Sequence, residues 1–220
     1  MADTSTPMLS PPEESDSTPR RCAISDSVLV AALALWLLVV LGAMIWLNYY
    51  KAIPGPGGQA PPRWPVESRL HRARSLPTLI LFAHPKCPCT QASLSELRVV
   101  LSSLRDKVAP EVVFLLPNGT GNDWRRTAAW RTAESIPGVH AFADAGGVET
   151  ARFGAQVSGQ VVLYGADGWL LFQGGITGSR GHEGANPGRS RLMARLTGGA
   201  SNTETSLVYG CGLDDVSKRR

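Results

Sequence analysis

Cysteine is scarce in this chain. Four are spread over 220 residues, at Cys22, Cys87, Cys89 and Cys211. That is too few for the disulfide framework that holds small secreted domains together. Massed positive charge is lacking as well. The net charge is +4, but the basic residues are scattered. Their nearest approach to a cluster, Arg125, Arg126 and Arg131, fits a solvated helix face. With no basic stripe interleaved with aromatics, nucleic acid is excluded as a partner. The glycine-rich stretch "GGITGSRGHEG" lacks the Gly-Lys-Ser/Thr end of a P-loop, which argues against a nucleotide site. No internal repeat is visible, and Cys22 has no lipobox around it.

What is present is sharply segmented. Residues 1–22 are polar and rich in Ser, Thr and Pro, with too little apolar content to bury a core, so they are expected to be disordered. Val28 to Leu47 then carries no charge. About 20 apolar residues at 1.5 Å rise span roughly 30 Å, the thickness of a bilayer core. Trp46, Tyr49 and Tyr50 suit an interfacial aromatic belt. The run is too long for a signal-peptide core, about two dozen polar residues precede it, and no small-residue cleavage site follows. Residues 23–50 are therefore expected to be an uncleaved signal-anchor helix. Arg20 and Arg21 on one side against Lys51 on the other place the N-terminus in the cytoplasm by the positive-inside rule. The remainder of the chain is then outside the membrane, in a bacterial periplasm.

Residues 51–75, beginning "KAIPGPGGQAPPRWP", form a Pro/Gly-rich linker in which neither helix nor strand can propagate. A globular pattern occupies residues 76–200, and 201–220 form a C-terminal extension. "TLILFA" (78–83) and "EVVFLLP" (111–117) are short apolar runs, expected as buried strands. Between them Leu94, Leu97, Leu101 and Leu104 recur at spacings of three and four, one helical stripe. "NDWRRTAAWRTAES" (122–135) reads as a helix capped by Asn122 or Asp123. "VHAF" is a short strand and "VETARFGA" a short helix. "QVVLYGADGWLLFQGG" is a hairpin around a Gly-Ala-Asp-Gly turn. "NPGRSRLMARLTGG" is a last helix, with Pro187 near its start and Gly198 beyond its end. The result is an α/β order, β-α-β-α-(β-α)-β-β-α.

The chemistry concentrates in "HPKCPCT", His84 to Thr90. Cysteine reacts as thiolate, and a helix N-terminus or a nearby cation lowers its pKa. Cys89 falls at the start of the leucine-striped helix, Lys86 supplies a cation, and His84 can supply a charge or shuttle a proton. A Cys87–Cys89 bridge needs a sharp bend, which Pro88 assists by fixing its own φ, and the strained small ring would be labile rather than structural. Cys211, in "VYGCGL", is the alternative bridging partner. A second chemistry is open to the same residues: Cys87 and Cys89 with His182 or His84 could hold copper or zinc. A third reading leaves the cysteines passive in a non-catalytic interaction module. By position in the loop, Cys87 is expected to be the more exposed thiol and to attack first, with Cys89 resolving.

The element order resembles the thioredoxin-like fold, a central mixed sheet flanked by helices whose active site follows the first core strand. The segment "LFAHPKCPCT" aligns without a gap to the thioredoxin pattern F-W-A-x-x-C-x-P-C-K. Pro88-Cys89 match its closing Pro-Cys, while Lys86 stands where the attacking cysteine would be and Cys87 lies one position inward. The "VLYGADGWLLFQGGI" hairpin is similar to its thioredoxin-like counterpart. The slot that carries a cis-proline in thioredoxins holds Gly159, in "VSGQVVLY". "HPKCPC", "GGITGSRGHEG" and "VYGC" together resemble a bacterial group of membrane-anchored, RedB-like thioredoxin-fold proteins. The resemblance covers about Leu76 to Leu196. It implies thiol-disulfide exchange with envelope thiol proteins, with Cys87 and Cys89 catalytic, no resident cofactor, and Lys86, His84, Gly159, His182 and Cys211 as auxiliary residues. Copper-delivery proteins on the same fold use two cysteines and a distant histidine, which keeps copper as the alternative.

Overall fold

The computed structural model describes residues 25–199 and 203–213, with the backbone alone at position 122. The polar tail, Arg20, Arg21 and Cys22 lie outside the described residues. The chain divides into two units, 1–44 and 45–220. Helix α1, Asp26–Ala52, is 27 residues long with none of them buried. Its most apolar window has a mean hydropathy of 2.9, so it is long and apolar enough to cross a membrane. Near its end the Trp46 and Tyr50 rings stack at 6.0 Å, the contact expected of residues four apart on a helix.

In the second unit six strands form one sheet in the order β3-β2-β1-β4-β5-β6. They are β1 Thr78–Ala83, β2 Ala109–Leu116, β3 His140–Ala145, β4 Gln160–Tyr164, β5 Leu170–Gly175 and β6 Glu204–Thr205. β1, β2 and β3 run parallel. β4 is antiparallel to β1, and β5 to β4. Helices α2 (Cys89–Leu104), α3 (Ala128–Ser135), α4 (Val148–Arg152) and α5 (Pro187–Leu196) complete the layers. A βαβ crossover followed by an antiparallel hairpin and a closing helix is the thioredoxin-like arrangement.

The sheet is buried on both faces, which is why its central strands read as continuous apolar runs rather than as alternation. Side chains still alternate by the pleat. Leu79, Leu81, Val112, Phe114, Val161 and Leu163 face a core with the leucines of α2, Trp130 and Leu192. Ile80, Phe82, Val113, Val162 and Tyr164 face a second core with Leu70, Phe153 and Leu213. Leu94 and Leu97 are fully buried, so truncating either to alanine costs about 2–5 kcal/mol.

Two segments differ from the sequence expectation. The single helix expected over 122–135 is a 3-10 turn, Asn122–Arg126, followed by α3. Thr127 separates them in extended conformation and its hydroxyl accepts the Trp130 N–H at 3.3 Å, so Thr127, not Asn122 or Asp123, caps the helix. The Pro/Gly-rich stretch after α1 also docks on the sheet over much of its length. The Tyr164 hydroxyl donates to the Pro61 carbonyl and the Leu170 N–H to that of Pro62. Trp64 packs edge-on against Phe153 and Tyr164. Proline prevents regular structure but leaves its carbonyl free to accept.

Residues 203–213 return along the other side. β6 pairs with β5, the Gly175 N–H donates to Leu207 O, and the Leu213 N–H donates to Gln156 O at 2.7 Å. Val208 and Leu213 are buried. This docking carries Cys211 to the end of β1.

Candidate active site

β1 ends at Ala83, and the chain then turns through His84, Pro85 and Lys86 into α2. The Cys87 N–H donates to His84 O and the Thr90 N–H to Cys87 O, both at 3.1 Å. Pro88 sits at the N-cap with right-handed helical dihedrals (φ −59°, ψ −32°) and no side-chain cap, and Cys89 is the first helical residue. Cys87 therefore stands one residue before the cap, beside the free N–H groups and the positive end of the helix dipole.

The Sγ atoms of Cys87, Cys89 and Cys211 all lie within 4.8 Å of one another. The Cys87 Sγ donates to Cys211 Sγ at 2.9 Å. All three are free thiols. Exposure is the reverse of the sequence expectation. Cys87 is only 5% exposed, whereas Cys89 and Cys211 are half-buried. The returning C-terminal segment closes over Cys87, so its place in the loop does not govern its access to solvent.

Burial would normally raise a thiol's pKa. Here the Cys87 thiol is held far below its ordinary value. Its hydrogen bonds with the Cys211 thiol, then with that of Cys89, together outweigh desolvation. Cys211 is correspondingly pushed up by its hydrogen bonds with Cys87 and Cys89 and by burial. Cys89 is drawn down by Cys211, but its contact with Cys87 and its burial raise it overall.

The auxiliary residues divide into two groups. His84 is half-buried; its Nδ1 accepts the Lys86 N–H at 3.2 Å, and its ring lies edge-on to Trp124 at 5.3 Å. Burial lowers its pKa, so the neutral imidazole is favoured near neutrality. Lys86 is exposed with its ammonium 4.3 Å from the Trp124 ring centre, a cation–π contact. Gly159 adopts φ +97° and its N–H donates to Phe82 O at 2.8 Å. A Cβ there would lie 2.7 Å from Ser93 Oγ, and the left-handed dihedral favours glycine in any case. His182 is not brought to the sulfurs. It is exposed on the glycine-rich loop, which Glu96 of α2 anchors by accepting from Gly184 N–H and Arg189. From that loop only Arg180 reaches in. It donates to Gly210 O, next to Cys211, and its charge favours the Cys89 thiolate.

Ser158 is the residue that sequence reasoning missed. Fully buried, its Oγ accepts the His84 N–H and pairs with Thr90 Oγ1, each at 2.9 Å. Its own N–H donates to Cys211 O at 2.8 Å. It ties the cysteine turn to the C-terminal segment. A hydroxyl residue beside Gly159 in an otherwise apolar run was the available signal.

No family model matches this chain, and no curated protein matches it. Among solved structures, an uncharacterized conserved protein from Geobacillus kaustophilus shares 14% identity, with 74% of this chain and 93% of that chain covered at TM-score 0.52. A hypothetical protein from Sinorhizobium meliloti shares 19% identity over 64% of this chain and 80% of that chain at TM-score 0.50. A secreted Mycobacterium tuberculosis disulfide oxidoreductase superposes more loosely, at 19% identity over 56% of this chain and 80% of that chain, TM-score 0.40. At these identities the likeness is one of fold. The fold is thioredoxin-like, with a cysteine cluster at the start of the helix that follows the first core strand.

Proposed function

We propose that this protein is a membrane-anchored thiol-disulfide oxidoreductase that exchanges disulfides with envelope thiol proteins outside the cytoplasmic membrane. The reading is carried by the 2.9 Å approach of Cys87 and Cys211 beside the N-terminus of α2. That pair, rather than Cys87 and Cys89, is the redox couple. A Cys87–Cys89 bridge would close a small, strained ring across Pro88 at the start of α2. Bridging Cys87 to Cys211 needs only a small approach of the two sulfurs. The extracytoplasmic placement is supported by the count of basic residues flanking α1.

In the oxidised protein a substrate thiolate attacks the half-buried Cys211 Sγ. The Cys87–Cys211 bond breaks, and its electron pair leaves on Cys87. A stabilised thiolate is a fast leaving group, and the Cys89 thiol is still present to donate to it. The second substrate thiol, deprotonated, then attacks the substrate sulfur of the mixed disulfide. Cys211 is released as a thiolate and takes up a proton. The substrate dithiol has lost two electrons and the couple has gained them. The reduced protein runs the same steps backwards on a substrate disulfide. Cys89 is a positioning residue in this scheme and forms no bond with substrate.

The test is disulfide mapping by non-reducing digestion and mass spectrometry across a series of glutathione buffers. A Cys87–Cys211 link is expected, and it should persist in Cys89→Ser. Cys87→Ser should trap a mixed disulfide on Cys211. A Cys87–Cys89 link would return the couple to the adjacent pair, and the absence of any link at every potential would overturn exchange altogether.

A further inference from the structure

The three sulfurs also form a set of ligands. They come from two distant segments, none is bridged, and no carboxylate or imidazole joins them in the cluster found among the described residues. We propose that the reduced cluster is a trithiolate site for one Cu(I) ion, with Cys87, Cys89 and Cys211 as its three ligands. This goes beyond the exchange reading and does not rest on it, since binding needs three reduced thiols and no turnover.

Thiolate is a soft ligand and selects soft cations. Metal–thiolate bonds of about 2.3 Å arranged in a trigonal plane place the sulfurs about 4 Å apart. The observed separations, from 2.9 Å to no more than 4.8 Å, bracket that value. Small side-chain rotations suffice, with no backbone rearrangement. The framework is also held: Ser158 N–H fixes Cys211 O, and the helical turn fixes Cys87 against Thr90. A structural zinc ion would want a fourth protein ligand. His84 Nδ1 already accepts the Lys86 N–H, and His182 is exposed on its loop. Three sulfurs without a fourth partner suit Cu(I), which accepts three soft ligands. Arg180 beside Cys89 offsets part of the negative charge that three thiolates bring. The ligand set differs from the Cys87, Cys89 and His182 combination expected from sequence, because Cys211 takes the histidine's place.

The experiment uses the full chain in detergent, reduced and free of metal under anaerobic conditions. Cu(I) is titrated against the chelator bathocuproine disulfonate, with Zn(II) titrated in parallel. One Cu(I) per chain is expected, weakened at least about 10-fold in Cys87→Ser, Cys89→Ser and Cys211→Ser and unchanged in His182→Ala. X-ray absorption of the wild-type complex should show sulfur neighbours only, which holds whatever the serine variants do to folding. Nitrogen in the copper coordination sphere, full affinity in Cys89→Ser or Cys211→Ser, preference for Zn(II), or no retention of Cu(I) against the chelator would each overturn the site. Disulfide exchange measured on the same metal-free preparation separates that failure from failure of the redox reading.

Discussion

Cys87 and Glu111 are acids buried to nearly the same depth, 5% and 7% exposed, and their protons are driven in opposite directions. Glu111, on β2, accepts a single backbone N–H from His71, and its Oε2 has no partner. Burial pushes its carboxyl up to about 7. Cys87 hydrogen-bonds with two other thiols and is held well down. Burial alone favours the neutral form of any acid. What separates the two is the number of hydrogen-bond partners around them, two thiols at Cys87 against one backbone group at Glu111. Two other buried carboxylates have arginine partners. Glu96 and Glu149 are paired with Arg189 and Arg152.

The largest effect should come from removing the stronger hydrogen-bond partner of Cys87. Cys211→Ala takes away both a hydrogen bond to the Cys87 thiolate and the bridging partner. Exchange should fall to the uncatalysed level. The Cys87 pKa should rise by about 1–2 units, the equivalent of a charged hydrogen bond of about 1.5–3 kcal/mol. Alkylation rate against pH, with the adduct located by mass spectrometry, reads both; an unmoved Cys87 would end the contrast with Glu111.

Glu111→Gln tests the other side. A carboxyl whose pKa is raised on folding binds its proton more tightly in the native state, so stability falls as pH rises from the unfolded value of about 4.3 to about 7, and is level above that. Glutamine is neutral throughout and keeps an acceptor for the His71 N–H. The variant should match the wild type near pH 4 and exceed it near pH 8 by up to about 3 kcal/mol. Urea unfolding at the two pH values measures this. Equal stability at both would mean that Glu111 is charged and solvated.

Cys89→Ala removes the weaker hydrogen-bond partner, so the Cys87 pKa should rise, and by less than in Cys211→Ala, while the Cys87–Cys211 link still forms. A larger rise than in Cys211→Ala would invert the order of the two partners. Lys86→Glu should have the smallest effect. The lysine is exposed and acts from in front of the site, where solvent screens it. It nevertheless lowers the His84 pKa, so reversing its charge should raise that value slightly. An NMR titration of the His84 ring reads it, and a shift of the opposite sign would remove Lys86 from the site.

Local signals determined much of this protein from sequence alone. The uncharged run predicts α1, the leucine stripe predicts α2, the Gly-Ala-Asp-Gly turn predicts the β4–β5 hairpin, and Cys89 falls at the helix start as expected. Each depends on residues within a few positions of one another, where period and turn chemistry act directly. The break at Thr127 escaped because helical propensity runs through it and only its extended backbone interrupts the helix. Cys211 is a candidate partner from sequence, but its place in the site is not legible there, for a different reason. Cys211 is 124 positions from Cys87, and "VYGCGL" carries no periodicity that says where it docks. Its place follows from the pairing of β6 with β5, the Ser158 and Gln156 hydrogen bonds and the burial of Val208 and Leu213. Those are long-range contacts whose partners only the folded sheet brings together. The same contacts cover Cys87 and leave Cys89 and Cys211 the more open thiols. Exposure is a property of what packs over a residue, so tertiary structure alone decided which cysteines are open to solvent.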